Sequence, residues 1–419
     1  MQGYLPAGMM VPSFVSGMGF RAFESGHTFL NNMLLPAGDN DRVFVVIQLN
    51  GGNDGLNTVI PLDQFSKYVN ARKNIYIDEQ KVLKLNGVNN VGLHPAMTGM
   101  RDLFNDGKLH IVQSVGYPQP NFSHFRATDI WMSASNSNQV LNTGWLGRFL
   151  DEIYPGFPSG YPNTNMPDPL AIQIGSVTSL ILQGPLQPMG MSISNPASFY
   201  SFVNNQIDAA PNTYAGKELT FVREMSRQTQ KFGDVIKTAN AKVTAQNPYP
   251  TGNSLADQLK IVARLIKGGL KTKIYMVNYG GFDTHANQIT TRDTSTGAHA
   301  RLLASVSTAI KAFMDDLKYL GVEERVVGMT FSEFGRRVQS NASYGTDHGN
   351  AAPMLVFGTC INPGVYGINP DLANLQYGNI PMEFDYRQVF TSVVKDWFNA
   401  PDQALQEVHF EQFVDSRID

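Results

Sequence analysis

The chain has 419 residues, 42% of them hydrophobic and 16% charged, with a net charge of −3. That length can bury a large core, and a near-neutral balance without any Lys/Arg block argues against a nucleic-acid or anionic-membrane partner. No apolar run is long enough for a transmembrane segment, and the single cysteine, Cys360, excludes an internal disulfide and a multi-cysteine metal site.

Taken in chain order, residues 1–41 read as an N-terminal segment. Within it, "PAGMMVPSFVSG" (Pro6 to Gly17) is small and apolar but has no basic start, so it does not read as a complete signal peptide; the remnant of an export signal plus linker is one reading. Residues 42–419 read as one α/β domain. "RVFVVIQL" (from Arg42), "LHIVQSV" (from Leu109), "LAIQIG" (from Leu170), "TKIYMVNY" (from Thr272), "RVVGMTF" (from Arg325) and "PMLVFG" (from Pro353) are nearly continuous apolar runs, as strands covered on both faces require.

Helices are expected between them. "SLADQLKIVARLIKGG" puts Leu255, Leu259, Val262 and Ile266 on one face, with Ser254 as N-cap and Gly268 as stop. "ARLLASVSTAIKAFMDDLKYLG" does the same with Leu303, Val306, Ile310, Phe313 and Leu317 and ends at Gly321. Strand, helix, strand in that order predicts right-handed crossovers and a mainly parallel sheet between helical layers, a three-layer α/β/α sandwich. The stretch around 150–253, rich in Pro, Asn and Gly, reads as loop-rich insertions. Its aromatics Phe157, Tyr161, Phe199 and Tyr200 are expected to pack rather than to stack on a ligand.

In open parallel sheets ligands collect beyond the carboxyl ends of the strands. Asp54 in "NGGNDG" follows the first strand, and Ser123, His124 and Arg126 in "NFSHFR" follow the second. Asp283 and His285 lie in "GGFDTH", Glu333 and Arg336 in "SEFGRR", and Asp347 and His348 in "GTDHGN" just ahead of the last strand. Each has a plain alternative. Asp54 suits a turn, "DTH" a helix cap, and "SEFGR" an internal ion pair. "TDHG" is harder to bury without purpose. Converging carboxylates and imidazoles suit one or two divalent metal ions (Zn, Mn, Ca or Mg), with a nearby hydroxyl as nucleophile and an arginine to hold an anionic oxyacid. His94, His110, His27, His299 and His409 are read as structural, and Asp385 with Arg387 as an ion pair at the start of the last helix.

"VIQLNGGNDGLNTVIP", "VGYPQPNFSHFRATDIW", "GGFDTHANQ", "SEFGRRVQSNASYGTDHG" and "DYRQVF", in this order, resemble the bacterial domain-of-unknown-function family 1501, within the alkaline phosphatase and sulfatase superfamily. The resemblance implies an alkaline phosphatase-like fold and a two-metal hydrolase of phosphate or sulfate esters, acting on a small-molecule or carbohydrate ester. Carried over residue by residue, it makes Asp54 the first metal ligand, shared in that site with Glu333, and Ser123 the nucleophile. Asp283, His285 and His348 would hold the other metal; in the mechanism expected from this set, Arg126 or Arg336 would offset charge on the equatorial oxygens. Glu333–Phe334 stands where the superfamily has a second Asp–His pair, so one histidine is replaced; Asp347 or His124 would compensate. That replacement also allows a one-metal or non-catalytic binding protein, and a phosphodiesterase or mutase is a further alternative. "GTCINPG" and "FSHFRA" do not match the context of a formylglycine sulfatase. "GMMVPSFV" resembles the distal part of a twin-arginine export signal, which implies a periplasmic or secreted protein.

Overall fold

A computed structural model describes residues 37–38, 40–196 and 232–413. Nine strands form the main sheet: β1 (Val43–Asn50), β2 (Leu109–Gly116), β3 (Ala171–Ile174), β4 (Met191–Ile193), β5 (Ile274–Gly280), β6 (Val326–Phe331), β7 (Ala352–Gly358), β8 (Gly364–Tyr366) and β9 (Phe384–Asp385). Their order is β8-β2-β7-β6-β1-β5-β3-β4, with β9 also paired to β2. The chain is thus mixed α/β with a large, mainly parallel central sheet. β1 lies between β5 and β6, parallel to both, with Asn50 opposite Gly280 and Gln48 opposite Phe331.

The strands are apolar throughout because alternate residues enter two different cores. Phe44 and Val46 join Trp145, Phe149 and Phe390 on one face; Val43, Val45, Ile47 and Leu49 join Leu259, Val306 and Phe313 on the other. Each such side chain contributes roughly 1.5–3 kcal/mol on leaving water. The first layer is aromatic, with Trp131 stacked on Tyr386 at 4.3 Å and Trp145 on Phe390 at 4.4 Å. The second is built from the helices Thr98–Asn105, Ser254–Lys267 and Ala298–Tyr319, and the apolar faces of the last two are those expected from the sequence.

Several details depart from expectation. Asn253, not Ser254, caps its helix, its side chain accepting from the Leu255 and Ala256 N–H groups. β7 runs antiparallel to β2 and β6. Between β6 and β7 the chain forms a two-stranded ribbon, Arg336–Ser340 with Thr346–His348, and no helix. Without a crossover helix the chain cannot return to the start of the sheet, so it re-enters from the same edge. That hairpin is what brings Arg336, Asp347 and His348 to the carboxyl ends of β1 and β5.

Asp385 and Arg387 do pair, at 2.7 Å, and Asp385 closes a capping box with Gln388. A π-helical turn (Val393–Trp397) and the helix Asp402–Glu407 follow, so theirs is not the last helix. In the middle region, 232–242 is helical. Phe157 and Tyr161 pack together at 5.6 Å against the aromatic core. Phe199, Tyr200 and His27 lie outside the described residues.

Candidate metal centre

β1 ends at Asn50 and the chain turns through Gly51 (φ 120°) and Gly52 (φ 77°). A Cβ at Gly51 would sit 2.3 Å from the Asp283 nitrogen, and one at Gly52 2.4 Å from the Phe334 ring, so this turn packs directly on the other site loops.

The turn does not aim Asp54 at the strand ends. The Asp54 carboxylate is fully buried and accepts from Arg72 Nη1 and Gln288 Nε2, both at 2.6 Å. Arg72 is equally buried and spends its other donors on Asn57 and on the carbonyls of Val338 and Arg337. Burial pushes the Asp54 carboxyl up, but the charge and hydrogen bond of Arg72, with Gln288, outweigh it and leave it below the usual range. The expectation that Asp54 is a metal ligand meets a different arrangement in this structure: its Oδ2 is matched by a guanidinium inside the protein, while its buried Oδ1 has no hydrogen-bond partner. Arg72 and Gln288 carry no motif in the sequence that announces this role.

The other loops do converge. Asp283, on the loop after β5, is half exposed; its Oδ1 accepts from Arg336 Nη2 at 2.8 Å. His124, the first residue of the helix His124–Ser133, places Nε2 3.5 Å from Asp283 Oδ2. His285 Nε2 lies 3.3 Å and His348 Nε2 3.7 Å from Asp283 Oδ1, and these two nitrogens are 2.8 Å apart. Among the described residues, His124, Asp283 and His348 present ligand atoms within 4.8 Å of one another.

The far side of each ring is anchored. His124 Nδ1 meets Glu333 Oε1 at 2.8 Å, His285 Nδ1 meets Asp347 Oδ1 at 3.1 Å, and His348 Nδ1 meets the Phe122 carbonyl at 2.8 Å. Glu333 Oε1 also accepts the Gly51 N–H, and Asp347 Oδ1 an Asn341 amide. All three partners are acceptors, which suits a hydrogen on each Nδ1 and leaves each Nε2 as the nitrogen that faces the cluster. The His348 imidazole is held below its ordinary value, by burial first and then by Arg336, His124 and His285, despite the Phe122 carbonyl. At 2.8 Å the His285 and His348 Nε2 atoms are close enough to share either a hydrogen or a cation. Donors about 2.05 Å from a tetrahedral zinc stand about 3.3 Å apart, and the separations here bracket that value. Backing of each imidazole by a carboxylate or carbonyl is the arrangement that orients metal-binding histidines.

The remaining expected residues take other positions. Glu333 is buried and meets His124 Nδ1 with its Oε1, and Asp347 meets His285 Nδ1 with its Oδ1, so each stands behind an imidazole of the cluster. Arg336 is buried, donating to the carbonyls of Gly51, Gly52, Phe282 and Thr346 as well as to Asp283. It holds the two glycine loops and Asp283 in place and is not available to clamp an oxyacid. Arg126 donates to the carbonyls of Asn136, Ser137 and Gln139, and so braces the loop after its helix. Ser123 is the exposed N-cap residue of that helix and makes no capping bond with its hydroxyl. Phe334 fills the place expected of a second histidine: its ring lies 4.4 Å from that of His348 and 4.8 Å from that of His124. With Asp54 turned inward and Glu333 engaged, the expected second metal position is not assembled among the described residues.

A cleft of about 490 Å³ opens beside the cluster. Asp283 and Glu333 form one wall; His124, Phe125, Thr128 and Asp129 of a single helix form another. Sequence reasoning did not single out Phe125, Thr128 or Asp129, which only the helical spacing from His124 would have indicated.

Residues 41–408 match the family described as "Protein of unknown function (DUF1501)". The chain belongs to that family. No curated protein matches this DUF1501 chain. Solved structures similar to it include the C-terminal periplasmic domain of EcEptC from Escherichia coli, in complex with Zn (12% identity, TM-score 0.35, 77% of this chain and 75% of that one). Others are a protein in the alkaline phosphatase superfamily from Vibrio parahaemolyticus (12%, 0.35, 83% and 67%) and the PsFucS1 sulfatase from Pseudoalteromonas sp. (10%, 0.35, 92% and 74%). At such scores the likeness is remote, and no chemistry is transferred across it.

Proposed function

We propose that this protein binds one divalent cation through His124, Asp283, His285 and His348 and hydrolyses an ester of a phosphorus or sulfur oxyacid beside it. The observation that carries the metal assignment is the facing pair of His285 and His348 Nε2 atoms, each with its Nδ1 already committed to an acceptor. Three imidazoles and one carboxylate favour zinc or a similar transition metal over Ca or Mg, which take oxygen donors. The ester chemistry rests on the family resemblance carried by the sequence motifs.

A cation so held supplies Lewis acidity toward an ester oxygen and acidifies a nearby hydroxyl. Arg336 fixes the Asp283 carboxylate, while Glu333 and Asp347 retain the Nδ1 protons and so keep the Nε2 lone pairs directed inward. Ser123, the exposed residue directly before His124, is the proposed nucleophile. Its oxygen forms a bond to phosphorus or sulfur as the bond to the leaving oxygen breaks, and the hydroxyl proton passes by way of water to that leaving oxygen. Water then cleaves the seryl ester and restores the hydroxyl.

A one-metal binding protein without turnover is the second reading, favoured by Phe334 in place of a histidine and by both arginines being turned away from the cleft. Elemental analysis of wild type and an Asp283→Ala/His348→Ala variant, followed by a panel of phosphate and sulfate esters, separates these. About one equivalent of metal, lost in the variant, with turnover abolished by Ser123→Ala, is the expected result. Full activity in Ser123→Ala would assign the attack to water. Absence of metal from both proteins after soaking would remove the hydrolase mechanism.

No helix among the described residues is long and apolar enough to cross a membrane. The export-signal resemblance supports a periplasmic or secreted location, though residues 1–36 lie outside the described residues. A carbohydrate ester remains within the proposed substrate range.

A further inference from the structure

The charges around the cleft are unequal. Among the described residues no lysine or arginine lines it, whereas Asp129, Asp283 and Glu333 do. The two arginines expected to neutralise an oxyacid are engaged elsewhere: Arg336 lies behind Asp283, and Arg126 braces the 136–139 loop. Asp347, behind His285, adds another carboxylate. Asp283 faces Arg336, Asp347 feels Arg337 as well as His285, and Glu333 faces His124, so the cleft carboxylate not engaged with these groups is Asp129. Asp283, Glu333 and Asp347 are each committed to a guanidinium, an imidazole or an amide. Asp129 differs. It is exposed on the helix His124–Ser133, one turn beyond Phe125, whose ring is also exposed in the cleft.

We infer that this site takes singly charged esters, phosphodiesters or sulfate monoesters, in preference to doubly charged phosphate monoesters, and that Asp129 sets the preference. The inference rests on the ester-hydrolase reading above. A dianion meets the Asp129 carboxylate, whereas a monoanion is satisfied by the cation alone. Phe125 offers a ring face to whatever apolar or sugar-ring group the second ester arm or the leaving group carries. Thr128 and Asn50, also at the cleft, supply neutral hydrogen-bonding groups that suit an uncharged arm.

The test uses the zinc-loaded full chain at pH 8, where phenyl phosphate is a dianion and phenyl sulfate and diphenyl phosphate are monoanions. Affinities are measured by calorimetric titration, independently of turnover; rates are measured with the corresponding nitrophenyl esters. Both monoanions are expected to bind at least about tenfold more tightly than phenyl phosphate. Asp129→Asn should reduce that ratio severalfold and Asp129→Lys should invert it. Because exposed charges are screened, raising salt from about 0.05 to about 0.5 M should also narrow the ratio in wild type, a check that needs no variant. Phenyl phosphate binding as tightly as the monoanions, or a ratio unmoved in Asp129→Lys, would overturn the inference. Preferred turnover of nitrophenyl phosphate would do so while leaving the hydrolase reading intact. Binding in the expected order without turnover of any ester would uphold the charge selection and remove the hydrolase reading instead.

Discussion

Two loops of this protein are nearly the same in sequence and opposite in role. "GGND" follows β1, while "GGFD" begins on Gly280, the last residue of the adjacent parallel strand β5; each stretch has a glycine at positive φ just past its strand (Gly51, Gly281) and ends in an aspartate. Asp283 stands half exposed among imidazoles, whereas Asp54 is sealed inside against Arg72. The strands explain the difference. Asn50 is level with Gly280, so Asp54 lies four residues past that rung and Asp283 only three. One extra residue, Asn53, carries the first aspartate round the turn and into the interior. There Arg72 and Gln288 are already placed to receive it.

The comparison breaks most visibly at its buried end. Asp54→Ala leaves the Arg72 guanidinium unmatched in the interior and is expected to cost about 3–5 kcal/mol of stability, read by urea unfolding, while the folded fraction keeps its metal. Asp283→Asn should do the reverse, losing metal while the metal-free protein keeps its stability within about 1 kcal/mol. A variant pair in which both aspartates behave alike would show that the inner loop is part of the site.

Acid should act on the same inner region. Burial lowers His94 to about 3, and His110 and His299 to about 4, and His299 reaches the Asp54 region through its Nε2 contact with Asn53 at 3.0 Å. The unfolded chain takes up these protons near pH 6.5, before the folded one does. Stability is therefore complete above that pH and falls as pH drops toward 4, by roughly 3 kcal/mol per group at most. Asp54 works at the lower end of the range: its folded pKa is depressed, so its contribution is present above the unfolded value near 4 and is lost as pH falls below it. Unfolding midpoints measured between pH 8 and pH 4 test the window, and a midpoint that does not fall would contradict it.

The smallest expected effect sharpens the outer end. Glu333→Gln and Asp347→Asn remove the carboxylates behind His124 and His285 without removing a ligand. Each should weaken metal binding about 10- to 100-fold, measured by competition with a chelator, with stoichiometry still one at saturation. Unchanged affinity would make these contacts incidental to the site.

Much of this was legible in the sequence. The central strands showed because burial on both faces forces continuous apolar runs, and the long helices because one-sided burial forces a 3.6-residue period. Asp283, His285 and His348 could be picked out because "DTH" and "TDHG" place costly groups at strand ends. What stayed hidden depends on which atom meets which. Whether Glu333 binds a metal or supports His124, and whether Arg336 clamps a substrate or pins Asp283, are questions of side-chain direction, which residue type and spacing leave open.

By itself, then, the sequence determined the layered α/β architecture and the collection of carboxylates and imidazoles at one edge of the sheet, since burial and periodicity follow from local chemistry. The tertiary structure decided which of them face each other. A one-residue difference between the loops after two parallel strands, a returning hairpin without a crossover helix, and a buried arginine set Asp54 apart from the cluster around Asp283. Those are contacts between segments far apart in the chain, and no local pattern encodes them.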